Sequence, residues 1–268
     1  SIMLASSIFA PQRLLSAVCC VSILRRSFGY TSSSYQRRAS DNHPLLLSRR
    51  QMLNRELESE IRGIIFDMDG TLTEPHAIDF MAMYTRNGLV RKPGDDILTL
   101  IMQLPEPRRS DALKVIHEEE MLGCERMKMR PSMHTFLHAA SKSNIQLALS
   151  TRNCDTAYQH FLKLASLPDN YFSPALHRDS LGTINKPDPQ VAKHILNAWE
   201  IPEGEEHTVW FVGDSVDDMA CGKLAGCRTA LITTGTNNDV VLQSPELVDV
   251  VVDHFDELLT YFKLHQDR

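Results

Sequence analysis

The sequence predicts an α/β protein: a doubly wound parallel sheet with a small all-helical insert. Three observations lead there. From residue 61 onward, short apolar runs alternate with stretches of helical periodicity. Most of those runs end in polar or acidic residues. The alternation is suspended once, between about Glu74 and Met129. The apolar runs are Ile61–Phe66, Ile145–Ser150, Thr208–Val212, Arg228–Ile232 and Val248–Val252. Short, nearly continuous apolar runs of this kind suit strands buried on both faces. Between them, helical segments are predicted near Ser132–Lys142, Asp155–Leu164, Pro189–Trp199 and Val216–Ala225. Strand, helix, strand at this spacing means a parallel sheet covered on both sides. The ligand crevice of such a sheet lies beyond the carboxyl ends of its strands, where the charged residues sit here.

The suspended stretch predicts no strands. Ile78–Asn87, Asp95–Gln103 and Arg109–Gly123 read as short helices separated by Gly and Pro. An insert directly after the first strand would sit over the crevice, placed to act as a lid. The domain organisation is therefore a core of residues 61–73 and 131–268, with a helical cap of residues 74–130.

Charge divides the chain differently. Residues 1–50 hold seven Arg, no Lys, eleven Ser and one acid, Asp41, for a charge of +6. The other 218 residues carry 21 basic and 33 acidic side chains, or −12, within an overall −6. Such an acidic body repels a phosphate backbone, which argues against nucleic-acid binding. The Arg-rich, Ser-rich, acid-poor opening reads as an organellar transit peptide for a mitochondrion or chloroplast. A secretory signal with Leu14–Leu24 as its apolar core, or a disordered tail in a cytoplasmic protein, are the alternatives. Against the secretory signal, Arg25 and Arg26 stand where small residues belong. The sequence opens on Ser1 rather than Met, so the true start is expected upstream or at Met3. A polar linker over residues 51–60 leads into the body. No apolar run approaches the roughly 20 residues of a membrane span. The six cysteines form no Cys-x-x-Cys pair, which points to free thiols in a reducing compartment.

Four elements carry chemistry. The first is Phe66-Asp67-Met68-Asp69-Gly70-Thr71, where a strand delivers two carboxylates to one opening. One carboxylate can attack phosphorus, and the other can protonate a leaving oxygen and then deprotonate water. Gly70 lets the backbone turn and present N–H groups to an oxyanion. The bland reading is an acidic turn. The second element is Ser150-Thr151-Arg152-Asn153, whose hydroxyls can bind a phosphate oxygen or simply cap a helix. The third is Lys186-Pro187-Asp188-Pro189, with Lys186 either neutralising a phosphoryl group or exposed before a helix. The fourth is Gly213-Asp214-Ser215-Val216-Asp217-Asp218. Asp214 with Asp67 can offer hard oxygens to magnesium, whereas acids in a first helical turn suit the macrodipole.

In order and spacing, these four elements resemble the haloacid dehalogenase superfamily over residues 61 to about 262. The small helical cap is similar to that of phosphoglycolate phosphatase-like members. The resemblance implies a Rossmann-like core and a magnesium-dependent phosphatase acting on a small phosphorylated metabolite. It makes Asp67 the covalent nucleophile and Asp69 the general acid and base, with the Asp69 carbonyl also facing magnesium. Asp214 becomes the direct metal ligand and Asp218 the support of its shell, while Asp217 stands where the family often has Asn. Thr151 is the hydroxyl position, with Ser150 as the alternative, and Lys186 holds the phosphoryl group. A sugar phosphomutase and a catalytically silent scaffold are the other functions that the superfamily implies. Asp69 argues for phosphoester chemistry, because a halide leaves without a proton. Cys154, three residues after Thr151, is either a redox-sensitive neighbour of the site or an inert buried thiol.

Overall fold

The computed structural model describes residues 61–92, 95–178, 180–182 and 184–264. The transit-peptide and linker expectations for residues 1–60 lie outside the described residues. The described chain forms one six-stranded, all-parallel sheet with spatial order β3-β2-β1-β4-β5-β6. The strands are β1 (Gly63–Phe66), β2 (Gln146–Ser150), β3 (Ala175–Leu176), β4 (Val209–Gly213), β5 (Arg228–Ile232) and β6 (Val250–Val252). The chain builds outward from β1 to β3, then crosses back to β4 and builds the other way. The switch point falls between β1 and β4, where open α/β sheets hold ligands.

Every residue of β1 is buried, and its side chains divide by the pleat. Ile64 and Phe66 enter one apolar cluster, and Ile65 enters another. The first cluster is closed by α4 (Met133–Lys142), α5 (Asp155–Leu164) and α9 (Phe255–Tyr261). The second is closed by α6 (Gln190–Ala198) and α7 (Val216–Leu224). This is why the strand reads as a continuous apolar run. A short helix α8 (Asn238–Gln243) follows β5.

Between β1 and β2 the chain forms α1 (Phe80–Arg86), α2 (Ile97–Met102) and α3 (Arg108–Arg126). These helices bury Met83, Tyr84, Ile97, Ile101, Ala112 and Ile116 in a small core of their own. Asp79 and Asp96 cap α1 and α2 by accepting from Ala82 N and Thr99 N, both at 2.8 Å. The segment leaves and rejoins the sheet layer at one pinch, an antiparallel bridge between Thr73 and Met129. There Glu74 N donates to Lys128 O at 2.8 Å and Arg130 N to Leu72 O at 3.0 Å.

The sequence expectation differs at three points. It has no counterpart of β3, which at two residues is too short to show periodicity. It also has no α8, and it begins several strands early; β6, for example, opens at Val250 rather than Val248.

Phe136 of α4 joins the first cluster's parts, with ring centroids 6.0 Å from Phe66, 5.3 Å from Phe255 and 6.0 Å from Phe262. Phe136→Ala should therefore destabilise the protein by about 3–5 kcal/mol, read as a lowered midpoint in chemical denaturation with an unchanged slope.

Candidate active site

Register assembles the site. Phe66 lies between Leu149 on β2 and Val212 on β4, so Asp67, Ser150 and Gly213 emerge side by side. Thr151 and Asp214 follow one step further out. Asp67 N still donates to Val212 O at 3.0 Å, which extends the ladder to the first carboxylate. The chain then turns sharply over Met68, whose carbonyl accepts from the amides of Thr71, Leu72 and Thr73 and from Thr73 Oγ1. Gly70 has φ +85°, and a Cβ there would lie 2.4 Å from Asp214 Oδ2. Only glycine lets this turn close against Asp214. The Gly70 amide donates to Thr73 Oγ1 at 3.3 Å, so it is engaged within the turn rather than offered to an oxyanion.

Lys186 sits at the centre. It comes from the loop between β3 and α6 and is buried, contrary to the exposed reading that its sequence context allows. Its ammonium donates to Asp67 Oδ1 and to the Ser150 carbonyl, each at 2.7 Å, and lies 2.7 Å from Asp218 Oδ1. Ser150 thus contributes its carbonyl. The neighbouring hydroxyl, Thr151 Oγ1, points to Asp69 Oδ2 at 3.3 Å and accepts from Asn153 N at 3.0 Å. Asn153 Nδ2 donates to the same Asp69 oxygen at 3.1 Å. The other oxygen, Asp69 Oδ1, is buried without a hydrogen-bond partner in the protein.

The three acids after β4 are separated by their partners. Asp218 is buried, and its Oδ2 accepts from Ser215 N and Oγ in a capping box that starts α7. Gly213 is required there, since a Cβ would lie 2.3 Å from Asp218 Cβ. Asp214 turns toward Asp67, and its carbonyl accepts from Asn237 Nδ2 at 2.7 Å. Asp217 turns away and pairs with Arg152 at 2.9 Å. The same Arg152 nitrogen lies 3.4 Å from Asp96, so it links the sheet layer to the cap of α2. Their side chains are 36% and 37% exposed, which keeps this pair worth about 1 kcal/mol or less.

The sequence reading brings Asp67, Asp69, Thr151, Lys186, Asp214 and Asp218 to one opening, and the structure places them together. It misses Asn153 as the partner of Asp69, and it misses Arg130 altogether. Arg130 is buried and donates from Nε and Nη2 to the Gly70 carbonyl at 3.0 and 2.6 Å, and from Nη2 to Thr233 O at 2.9 Å. Its signal would have been a basic residue immediately before a Pro at the exit of the insert, which is too common a pattern to point anywhere.

Charge defines what this opening can hold. Carboxylate oxygens of Asp67, Asp214 and Asp218 lie within 4.8 Å of one another. Burial is the largest cause at both Asp67 and Asp214; the neighbouring acids add to it, and Lys186 opposes it, most strongly at Asp67. The net effect pushes Asp67 up to about 7 and Asp214 up to about 8. Burial raises Asp69 as well. An all-oxygen, strongly anionic cluster of this kind fits a hard dication such as magnesium, held by Asp67, Asp214 and Asp218.

The ordinary Asp value is about 3.9, so between there and about 7–8 the folded metal-free protein holds more protons than the unfolded chain. Its stability therefore falls as pH rises through that window. Magnesium binds the ionised form, so the rise in Tm on adding magnesium should be larger near about pH 8 than near about pH 5. An equal rise at both would count against metal binding at these acids.

A family model for haloacid dehalogenase-like hydrolases matches residues 61–226. A haloacid dehalogenase-like hydrolase domain-containing protein of Arabidopsis thaliana is 34% identical over 190 residues, covering 67% of this chain and 74% of its own. A phosphoglycolate phosphatase of Vibrio vulnificus is 26% identical over 225 residues, covering 75% and 96%. The crystal structure of a predicted phosphoglycolate phosphatase from Haemophilus somnus superposes with TM-score 0.57 at 19% identity, covering 76% and 98%. That likeness is one of fold: a Rossmann-like core carrying helical segments. By the family model and by its identity to the plant protein, this chain belongs to the haloacid dehalogenase-like hydrolases.

Proposed function

We propose that the protein is a magnesium-dependent phosphatase that hydrolyses a small phosphomonoester through an aspartyl-phosphate on Asp67. The observation that carries this reading is the pairing of two unequal carboxylates two residues apart. Asp67 is held in place by the Lys186 ammonium. Asp69 is anchored through one oxygen, with its other oxygen unpartnered. An ion-paired carboxylate suits a nucleophile. A buried carboxyl with one oxygen left unpartnered suits a proton donor.

In this reading an Asp67 oxygen attacks phosphorus, and the bond from phosphorus to the leaving oxygen breaks. Asp69 gives that oxygen its proton, so an alcohol departs. Asp69 then takes a proton from water, whose oxygen attacks phosphorus and breaks the bond to Asp67, releasing inorganic phosphate. Lys186 offsets the charge of the nucleophile and of the phosphoryl group throughout. Thr151 can donate its hydroxyl to a phosphoryl oxygen once it leaves Asp69. Magnesium held by Asp67, Asp214 and Asp218 would screen the nucleophile from the anionic substrate. The helices of residues 74–130 serve as the cap.

The likeness to a phosphoglycolate phosphatase supports testing carboxylated phosphomonoesters first. Beside them belong sugar phosphates and nucleoside monophosphates. Asp67→Asn should lower turnover of para-nitrophenyl phosphate by at least about 10³-fold with the circular-dichroism spectrum unchanged. Turnover within tenfold of wild type would rule out the covalent route. Chelation should abolish activity and magnesium restore it. As a separate proposal, residues 1–50 address the protein to an organelle, because the segment is Arg-rich and Ser-rich and nearly free of acids. A reporter carrying them should co-localise with mitochondria or plastids, and a diffuse cytosolic signal would refute this.

A further inference from the structure

A second cluster of metal-ligating side chains lies outside the proposed catalytic carboxylates. His117 and Glu120 sit one helical turn apart on α3, and Cys154 is the residue that opens α5 on the sheet layer. One ligand atom from each lies within 4.8 Å of the other two. His117 is exposed, whereas Glu120 and Cys154 are buried. We propose that these three residues bind a zinc ion that fastens α3 to the loop after β2.

The donor set decides the ion. One imidazole nitrogen, one thiol sulfur and one carboxylate oxygen match zinc, which accepts all three, and not magnesium, which demands oxygen. Tetrahedral bonds of about 2.0–2.3 Å place ligand atoms roughly 3.3–3.8 Å apart. The side chains therefore need to close by roughly an ångström, and exposed His117 is the one free to do so. Three protein ligands leave a fourth position for water. On binding, Cys154 gives up its thiol proton to solvent and coordinates as thiolate. Glu120 is already held by Arg178, which donates to both of its oxygens. Each carboxylate oxygen retains a second lone pair, and that ion pair orients Glu120 while balancing the charge of the thiolate and carboxylate.

The location gives such a site a consequence. Cys154 N donates to Asn153 Oδ1 at 2.9 Å, and the amide of Asn153 holds Asp69. An ion bridging Cys154 to α3 would restrain both the inserted helices and the loop that orients Asp69.

Cobalt(II) added to the full-length protein saturated with magnesium tests this. At stoichiometric cobalt a thiolate-to-cobalt charge-transfer absorption should appear in the near ultraviolet and disappear on adding zinc. It should be lost in Cys154→Ser. In His117→Ala, an exposed position, cobalt affinity should fall by roughly tenfold or more, since even groups that merely support a ligand are worth about 10–100-fold. No thiolate absorption, or an absorption that survives both substitutions, overturns the proposal. Zinc should also slow magnesium-dependent turnover in the wild type and spare His117→Ala, and equal inhibition of both would overturn the restraint. That last measurement rests on the phosphatase reading, whereas the spectroscopic ones stand without it.

Discussion

The buried ammonium of Lys186 is the interaction on which the rest depends. Four carboxylates, those of Asp67, Asp69, Asp214 and Asp218, gather at the end of two strands. Left to themselves, such groups take up protons rather than stay charged. Lys186 touches two of them and the Ser150 carbonyl at 2.7 Å each. Burial lowers the ammonium's affinity for its proton, and the charges of Asp218 and Asp67 more than restore it, so Lys186 stays protonated. One cation cannot balance the whole group. The residual negative charge suits the opening to a dication.

The surroundings keep that charge in place. The Ser215–Asp218 capping box holds Asp218 from the side of α7, leaving its other oxygen for Lys186. Asn237 holds the backbone of Asp214, and Arg130 holds that of Gly70. Glycines at 70 and 213 remove the side chains that would otherwise collide with Asp214 and Asp218. These are constraints on backbone approach, and they explain why a glycine adjoins the acidic residues in both elements.

The inserted helices obey the same electrostatics. Helix α3 buries two acids, Glu119 and Glu120, on a face that also carries Ala112 and Ile116. Each is tolerated because it is paired, Glu119 with Arg86 at 2.6 Å and Glu120 with Arg178. The first pair stays inside the insert, and the second crosses to the loop after β3. Together with Arg152 and Asp96, it joins the insert to the sheet layer by charge, and Cys124 of α3 adds an apolar contact by packing into the first cluster.

What the sequence by itself determined was five of the six parallel strands and the residues at their tips. Strands buried on both faces must be apolar throughout, so Ile61–Phe66 and Thr208–Val212 stand out, and the polar residues that follow mark the carboxyl edge. Asp67, Asp69, Thr151, Asp214 and Asp218 were legible for that reason, and Lys186 by its order among the four elements. Only the tertiary structure decided which partner each one has. It showed that Lys186 is buried, that Asp217 pairs with Arg152 rather than joining the other acids, that the Gly70 amide bonds within its own turn, and that Arg130 and Asn153 belong to the site. It also supplied β3, whose two residues carry no period. The physical reason is that periodicity reports a residue's burial against one layer, whereas hydrogen bonds and ion pairs depend on distances between segments that may be 119 residues apart, as Asp67 and Lys186 are. Those distances exist only once the sheet has set the register.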